Sequence, residues 1–191
     1  QGIAAGERVF SIIDAESTVQ DKKDAVELKQ FNDKIEFRSV GFSYDGSREI
    51  LHNISFEVRK GETVALVGPS GGGKSTLCHL IPRFYNVTEG KITLDGVDTM
   101  DITLNSLRRN IGIVSQTVFL FDGSVRDNIA YGRATATREE VEAAAKAAHI
   151  HNFITRLPQG YDTILADDAA NISKGQKQLL TIARAMLMDS P

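Results

Sequence analysis

The chain has 191 residues, 41% hydrophobic and 25% charged, enough for one domain with a sizeable core. A net charge of −3 excludes the global basic field that holds nucleic acid, and no apolar run approaches the roughly 20 residues of a membrane helix. The single cysteine, Cys78, excludes a disulfide framework within the chain, favours a reducing compartment, and reads as a small buried hydrophobe.

Residues 2–14 carry Ile3, Val9, Phe10, Ile12 and Ile13 in the pattern of an amphipathic helix's tail. Residues 17–34 are polar and charged, and read as a linker. A strand-rich block follows, opened by Ile35, Phe37 and Val40. In it Ile54, Phe56 and Val58 alternate as a half-buried strand does. Residues 63–67 form a short continuous apolar run, which predicts a strand buried on both faces. Residues 68–73 break it, and 75–81 have helical spacing. Ile92 and Leu94 predict another strand, and Ile111, Ile113 and Val114 one more. After Thr117 the character changes. Residues 139–148 are rich in Ala and Glu, strong helix formers. Residues 176–188 place Leu179, Leu180, Ile182, Ala183, Met186 and Leu187 at helical spacing. The expected class is therefore α/β, with a mixed core and a mostly helical subdomain over 117–188.

One segment carries chemistry at every fixed position. Gly68-Pro69-Ser70-Gly71-Gly72-Gly73-Lys74-Ser75 fits the phosphate-loop pattern G-x-x-x-x-G-K-S/T between an apolar run and a helix. Glycines let the backbone curl so that several N–H groups face phosphate oxygens, and the following helix aims its positive end at the same anion. Lys74 would add a full charge at the β- and γ-phosphates, Ser75 a hydroxyl for Mg²⁺, and Thr76 a second hydroxyl within reach of a phosphate. The loop alone says nucleotide; kinases, GTPases, motor ATPases and transporters share it.

Further on, Asn171-Ile172-Ser173-Lys174-Gly175-Gln176-Lys177-Gln178 holds a capping-box pattern in Ser173 and Gln176, so a helix should start there and offer a second anion site. This segment and the helix after it resemble the LSGGQ signature of ABC ATPases. Lys174 stands where glycine is commonest and Ile172 where leucine is, and neither change removes the helix start or the serine. The resemblance implies a P-loop ATPase core with an antiparallel β-subdomain and a helical subdomain, binding ATP with Mg²⁺. It also implies head-to-tail pairing with a second ABC ATP-binding domain, in which Ser173, Lys174, Gly175 and Gln176 meet the partner's nucleotide. Gln116, after Gly112-Ile113-Val114-Ser115, matches the family glutamine that touches Mg²⁺ and the attacking water. Tyr44 matches the aromatic that stacks on adenine, with Ile50 as an apolar contact to the base.

Several segments are similar to the exporter branch. Residues 6–14 look like the cytoplasmic end of the last membrane helix, and 121–129 and 157–162 recur in exporters. Residues 166–171 sit where exporters carry a short acidic segment, although Asp167 stands in place of glutamate and Ala169 of glycine. The implied organisation is the end of a membrane-domain helix at 1–16, a linker at 17–34, and the ATP-binding domain at 35–191. Its implied place is the cytoplasmic face of a membrane, attached to a transmembrane domain and coupling ATP hydrolysis to export. The family's strand ending in aspartate and glutamate, and its later histidine, would fall beyond Pro191. The resemblance therefore implies a C-terminally incomplete domain that binds ATP without turning it over. Two other readings compete: a small-molecule kinase or GTPase, which gives no reason for the Ser173–Gln176 pattern, and a soluble ABC ATPase of DNA repair or translation.

Overall fold

A computed structural model describes residues 9–11, 13–15, 17–165 and 172–190. The chain divides into two compact units, Gln1–Leu107 and Arg108–Pro191. Among the described residues no helix is long and apolar enough to cross a membrane.

The first unit is built on a four-stranded antiparallel sheet of order β2-β1-β3-β4. Its strands are β1 (Lys34–Ser43), β2 (Glu49–Arg59), β3 (Glu89–Leu94) and β4 (Val97–Asp98). β1 and β2 pair Ile35 with Val58, Phe37 with Phe56 and Val40 with Ile54, with the register slipping between Phe37 and Val40. Such a bulge adds a residue and re-aims the side chains that follow it. On β1 the inward residues are Phe37, Val40 and Phe42. They meet Leu51, Ile92 and, from helix α1 (Lys74–Leu80), Leu77 and Leu80. Phe37 also stacks on Phe56 at 4.4 Å between centroids. Burying each of these side chains stabilises the fold by about 1.5–3 kcal/mol.

Cys78 departs from expectation: it is exposed. On α1 the inward stripe is taken by Thr76, Leu77 and Leu80, and the turn from Leu77 to Cys78 carries the thiol off it.

Residues 17–34 lie fastened along the first unit. Val26 bridges to Ile102, and the Leu28 amide donates to Ser106 Oγ at 2.9 Å. The Asp95 carboxylate accepts from the amides of Asn32, Asp33 and Lys34 at 2.7, 2.8 and 3.0 Å. Arg83, only 1% exposed, donates to the carbonyls of Gln20, Thr99 and Ile102. A polar composition does not reveal this, because the side chains that hold the stretch lie far along the chain.

The run 63–67 belongs to no strand, and Val64, Leu66 and Val67 are 51%, 39% and 90% exposed. The stretch 111–116 in the second unit is likewise outside any strand, with Ile113 and Val114 exposed. A buried central strand needs a hydrogen-bonded neighbour on each side and a cover on each face. Neither sheet among the described residues includes these stretches.

Helix α2 (Leu104–Arg109) runs across the boundary between the units. The second unit then has β5 (Gly123–Ser124), α3 (Val125–Ala130), α4 (Arg138–Ala147), α5 (His151–Ile154), β6 (Ile164–Leu165) and α6 (Lys174–Met188). Its core joins Val125, Ile129, Val141, Ala145, Ile154, Leu165, Leu180 and Leu187. Complete capping boxes start α3, α4 and α6, at Ser124, Thr137 and Ser173. These three helix starts are local in origin.

Candidate functional site

The turn at 68–73 is closed by the Gly72 amide, which donates to the Pro69 carbonyl at 3.2 Å. Gly73 ends it in the left-handed region, φ 78° and ψ 3°. A Cβ there would lie 2.7 Å from Leu51 Cδ2 and 3.3 Å from Ile50 Cγ2. Both backbone and packing therefore require glycine at this position. The Ile50 side chain, half-buried on β2, thus forms a wall against the loop's end.

Lys74 follows, and its ammonium donates back to the carbonyls of Gly68 at 3.0 Å and Pro69 at 2.6 Å. The charge is thereby held over the curl of the loop. Ser75 is exposed at the first turn of α1, and among the described residues its hydroxyl has no protein partner. Gly68 and Gly71 face open space, and Pro69, Ser70 and Gly71 are exposed. The Thr76 side chain is buried and shares a 3.0 Å hydrogen bond with the Tyr44 hydroxyl. Tyr44 is itself 52% exposed, standing perpendicular to Phe42 and to Tyr85. Tyr44, Ile50 and residues 68–76 therefore come together in the first unit.

Gln116 and residues 173–176 belong to the second unit. There Gln116, exposed, lines a cleft with Thr117, Val118, Ile172, Lys174 and Lys177. At the start of α6 the Ser173 hydroxyl accepts from the Gln176 amide at 3.3 Å, and the Ser173 amide donates to Gln176 Oε1 at 2.9 Å. The first turn of α6 contains no acidic residue and carries Lys174 and Lys177. Cations at the positive end of a helix oppose its dipole, so Lys174 and Lys177 do not stabilise this helix start. Gly175 has open space where a side chain would be.

The exporter-like stretches have mixed placement. Within 121–129 the buried Asn128 accepts from the Phe121 amide and donates to the carbonyls of Phe121 and Ser124. Arg184 donates to the Asn128 carbonyl at 2.8 Å, with its guanidinium 5.3 Å from the Phe121 ring and 5.6 Å from Tyr131, and burial pushes its pKa down. Within 157–162, Tyr161 is buried against His151 Nδ1 at 2.8 Å, and burial raises its hydroxyl to about 12. Residues 166–171, with Asp167 and Ala169, and 6–8 and Ile12 of the first stretch lie outside the described residues.

Sequence reasoning singled out neither Tyr85, whose ring stands against Tyr44, nor the buried Arg83 two residues before it. The run Arg83-Phe84-Tyr85 follows α1 after Ile81 and Pro82, and no spacing pattern in the sequence marks it.

A family model described as ABC transporter matches residues 51–191, a range that includes the phosphate loop, Gln116 and the 173–176 turn but not Tyr44 or Ile50. The chain is 50% identical over 191 residues to an ATP-dependent lipid A-core flippase of Desulfotalea psychrophila, covering 100% of this chain and 33% of the relative. It is also 50% identical to an ATP-dependent lipid A-core flippase of Syntrophus aciditrophicus, covering 100% of this chain and 32% of that protein. The structure of a bacterial Atm1-family ABC exporter with ATP bound superposes with a TM-score of 0.92 at 46% identity, again over 100% of this chain and 33% of the other. The chain thus spans about a third of the length of the relatives it matches. On these grounds the chain belongs to the ABC transporter family and has its P-loop ATPase fold.

Proposed function

We propose that this chain is the ATP-binding module of an ABC exporter, energising export across a membrane through ATP-driven pairing and hydrolysis in the full-length protein. The observation that carries the reading is the phosphate loop: Gly73 locked in a left-handed turn against Leu51, and Lys74 folded over the carbonyls of Gly68 and Pro69. An arriving triphosphate offers that ammonium full negative charges in place of two neutral carbonyls, and the added charge–charge attraction favours the exchange. In this reading the base lies on Tyr44 with Ile50 beside it. Residues 68–74 and Thr76 hold the phosphates, and Gln116 orients the attacking water.

Mg²⁺ fits the residues at hand. It takes oxygen ligands, keeps several waters, and needs only one or two protein atoms beside the substrate's phosphates. The exposed Ser75 hydroxyl at the helix start, without a protein partner among the described residues, is such an atom, and the family resemblance names Gln116 as the second. Bound there, the ion would neutralise charge developing on the transferred phosphoryl group.

The proposed partners are a second ABC ATP-binding domain, met through Ser173, Lys174, Gly175 and Gln176, and a transmembrane domain that places this module at the cytoplasmic face of a membrane. The exporter and flippase names of the relatives, each about three times this chain's length, support that reading over a soluble ATPase of DNA repair or translation. Isothermal titration tests the core of it. ATP should bind in the presence of Mg²⁺, and Lys74→Ala should weaken binding by the worth of a charged contact, about 1.5–3 kcal/mol. Equal affinity in both proteins would remove Lys74 from the site. In the full-length protein, Ser173→Arg should abolish ATP-dependent closure of the two ATP-binding modules, read by cross-linking, while leaving Lys74-dependent nucleotide binding in place.

A further inference from the structure

Tyr44 is anchored at three points. Its hydroxyl bonds Thr76 at 3.0 Å, its ring stands at 85° to Phe42 with centroids 4.8 Å apart, and at 87° to Tyr85 at 5.0 Å. Phe42 is buried in the sheet core, so that contact belongs to the fold itself. Tyr85 is different. It is 42% exposed, it lies outside the buried core cluster, and it touches the edge of that cluster at Phe42, 5.7 Å between centroids. The turn that presents it is held from within. Arg83, two residues earlier, is buried with its guanidinium on the carbonyls of Thr99 and Ile102, and its Nε donates to Asn86 Oδ1 at 3.2 Å. A surface tyrosine on a turn this firmly held, perpendicular to a second tyrosine that remains half exposed, is arranged as a brace.

We propose that Tyr85 is a positioning residue that sets the Tyr44 ring for the nucleobase, with Thr76 as its counterpart at the hydroxyl end. This rests on the reading of Tyr44 as the base platform. An aromatic side chain that is free to rotate loses that freedom when a base stacks on it, and the loss is charged against binding. Perpendicular ring pairs contribute beyond their buried area, so two of them and a hydrogen bond hold the ring in one orientation before any ligand arrives. The Tyr44–Thr76 bond also ties the platform to the helix that begins in the phosphate loop. A hydroxyl both donates and accepts, so Thr76 can keep Tyr44 while turning its other capacity toward a phosphate.

The test compares ATP with inorganic tripolyphosphate, which offers the phosphates without a base, in titrations of the wild type, Tyr85→Leu, Tyr85→Phe and Tyr44→Ala. Tyr85→Leu keeps apolar bulk and removes the ring; it should weaken ATP about 3- to 10-fold and leave tripolyphosphate unchanged. Tyr85→Phe keeps the ring and should restore wild-type ATP affinity. Combined with Tyr44→Ala, Tyr85→Leu should cost nothing further, because a brace has no effect once its platform is gone. If Tyr85→Leu leaves ATP affinity unchanged, weakens both ligands equally, or adds fully to Tyr44→Ala, the positioning role is overturned while the platform stands. If Tyr44→Ala itself leaves ATP affinity unchanged, the platform and the brace fall together, and the Lys74-dependent phosphate site is unaffected. Should Tyr85→Leu not fold, Tyr85→Met removes the ring in its place and carries the same expectations, while a loss of ATP affinity in Tyr85→Phe as large as that of Tyr44→Ala would assign the effect to the Tyr85 hydroxyl and refute bracing by the ring.

Discussion

At the scale of single residues, the site depends on positions where one side chain is admissible. Gly73 is the clearest. Its φ of 78° is one that side chains rarely adopt, and an added Cβ would meet Leu51 Cδ2 at 2.7 Å. Gly73→Ala should therefore cost about 1–3 kcal/mol of stability and displace the loop from β2. Thermal unfolding and ATP titration check this together. A stable variant with unchanged affinity would mean that the loop does not need its present seat. Lys74 and Gly73 were both legible in the sequence, because the phosphate-loop pattern fixes residue types at fixed spacing. Tyr44 was legible only through a resemblance. Its neighbours Phe42 and Tyr85 are 43 residues apart (85 minus 42), and no local pattern joins them.

At the scale of elements, helix starts are what local sequence encodes best. The Ser173–Gln176 spacing predicted a capping box, and both of its hydrogen bonds are formed. The same box opens α3, where Asp127 receives the Ser124 amide while its own amide donates to Ser124 Oγ. The Ser124 side chain, then its backbone amide, lower the Asp127 pKa below the ordinary carboxylate value. A group whose folded pKa is depressed adds stability above its unfolded pKa and loses it as pH falls through the folded one. The difference in thermal midpoint between wild type and Asp127→Asn should thus be constant above about pH 5 and shrink as pH falls below about 4. A difference that grows on acidification would contradict the cap. Strands were less legible. The run 63–67 has the composition of a central strand, but composition does not supply the flanking strands that would hydrogen-bond to it, and Val67 stands 90% exposed.

At the scale of the whole molecule, the fastening of 17–34 matters most. Arg83 and Asp95 turn a polar stretch into part of the first unit. Arg83→Met should remove the guanidinium donor from the carbonyls of Gln20 and Ile102 and leave Thr99 with the Ile102 amide alone, at a cost of about 2–4 kcal/mol. Hydrogen exchange should then quicken at Val26 and Thr103, whose amides bond Asp101 and Val26. If those amides already exchange freely in the wild type, the stretch is a tether after all. The properties settled in the linear chain are those that act within a few residues: loop curl, cap, helical stripe and the spacing of charged groups around an anion. The properties settled by folding are those that join distant positions: Asp95 under Asn32, Arg83 under Gln20, Tyr85 against Tyr44, and Cys78 turned outward. The physical reason is reach. A capping hydrogen bond spans three residues, so its partners must be neighbours in the chain, whereas burial and ring contacts act between any groups the backbone brings together.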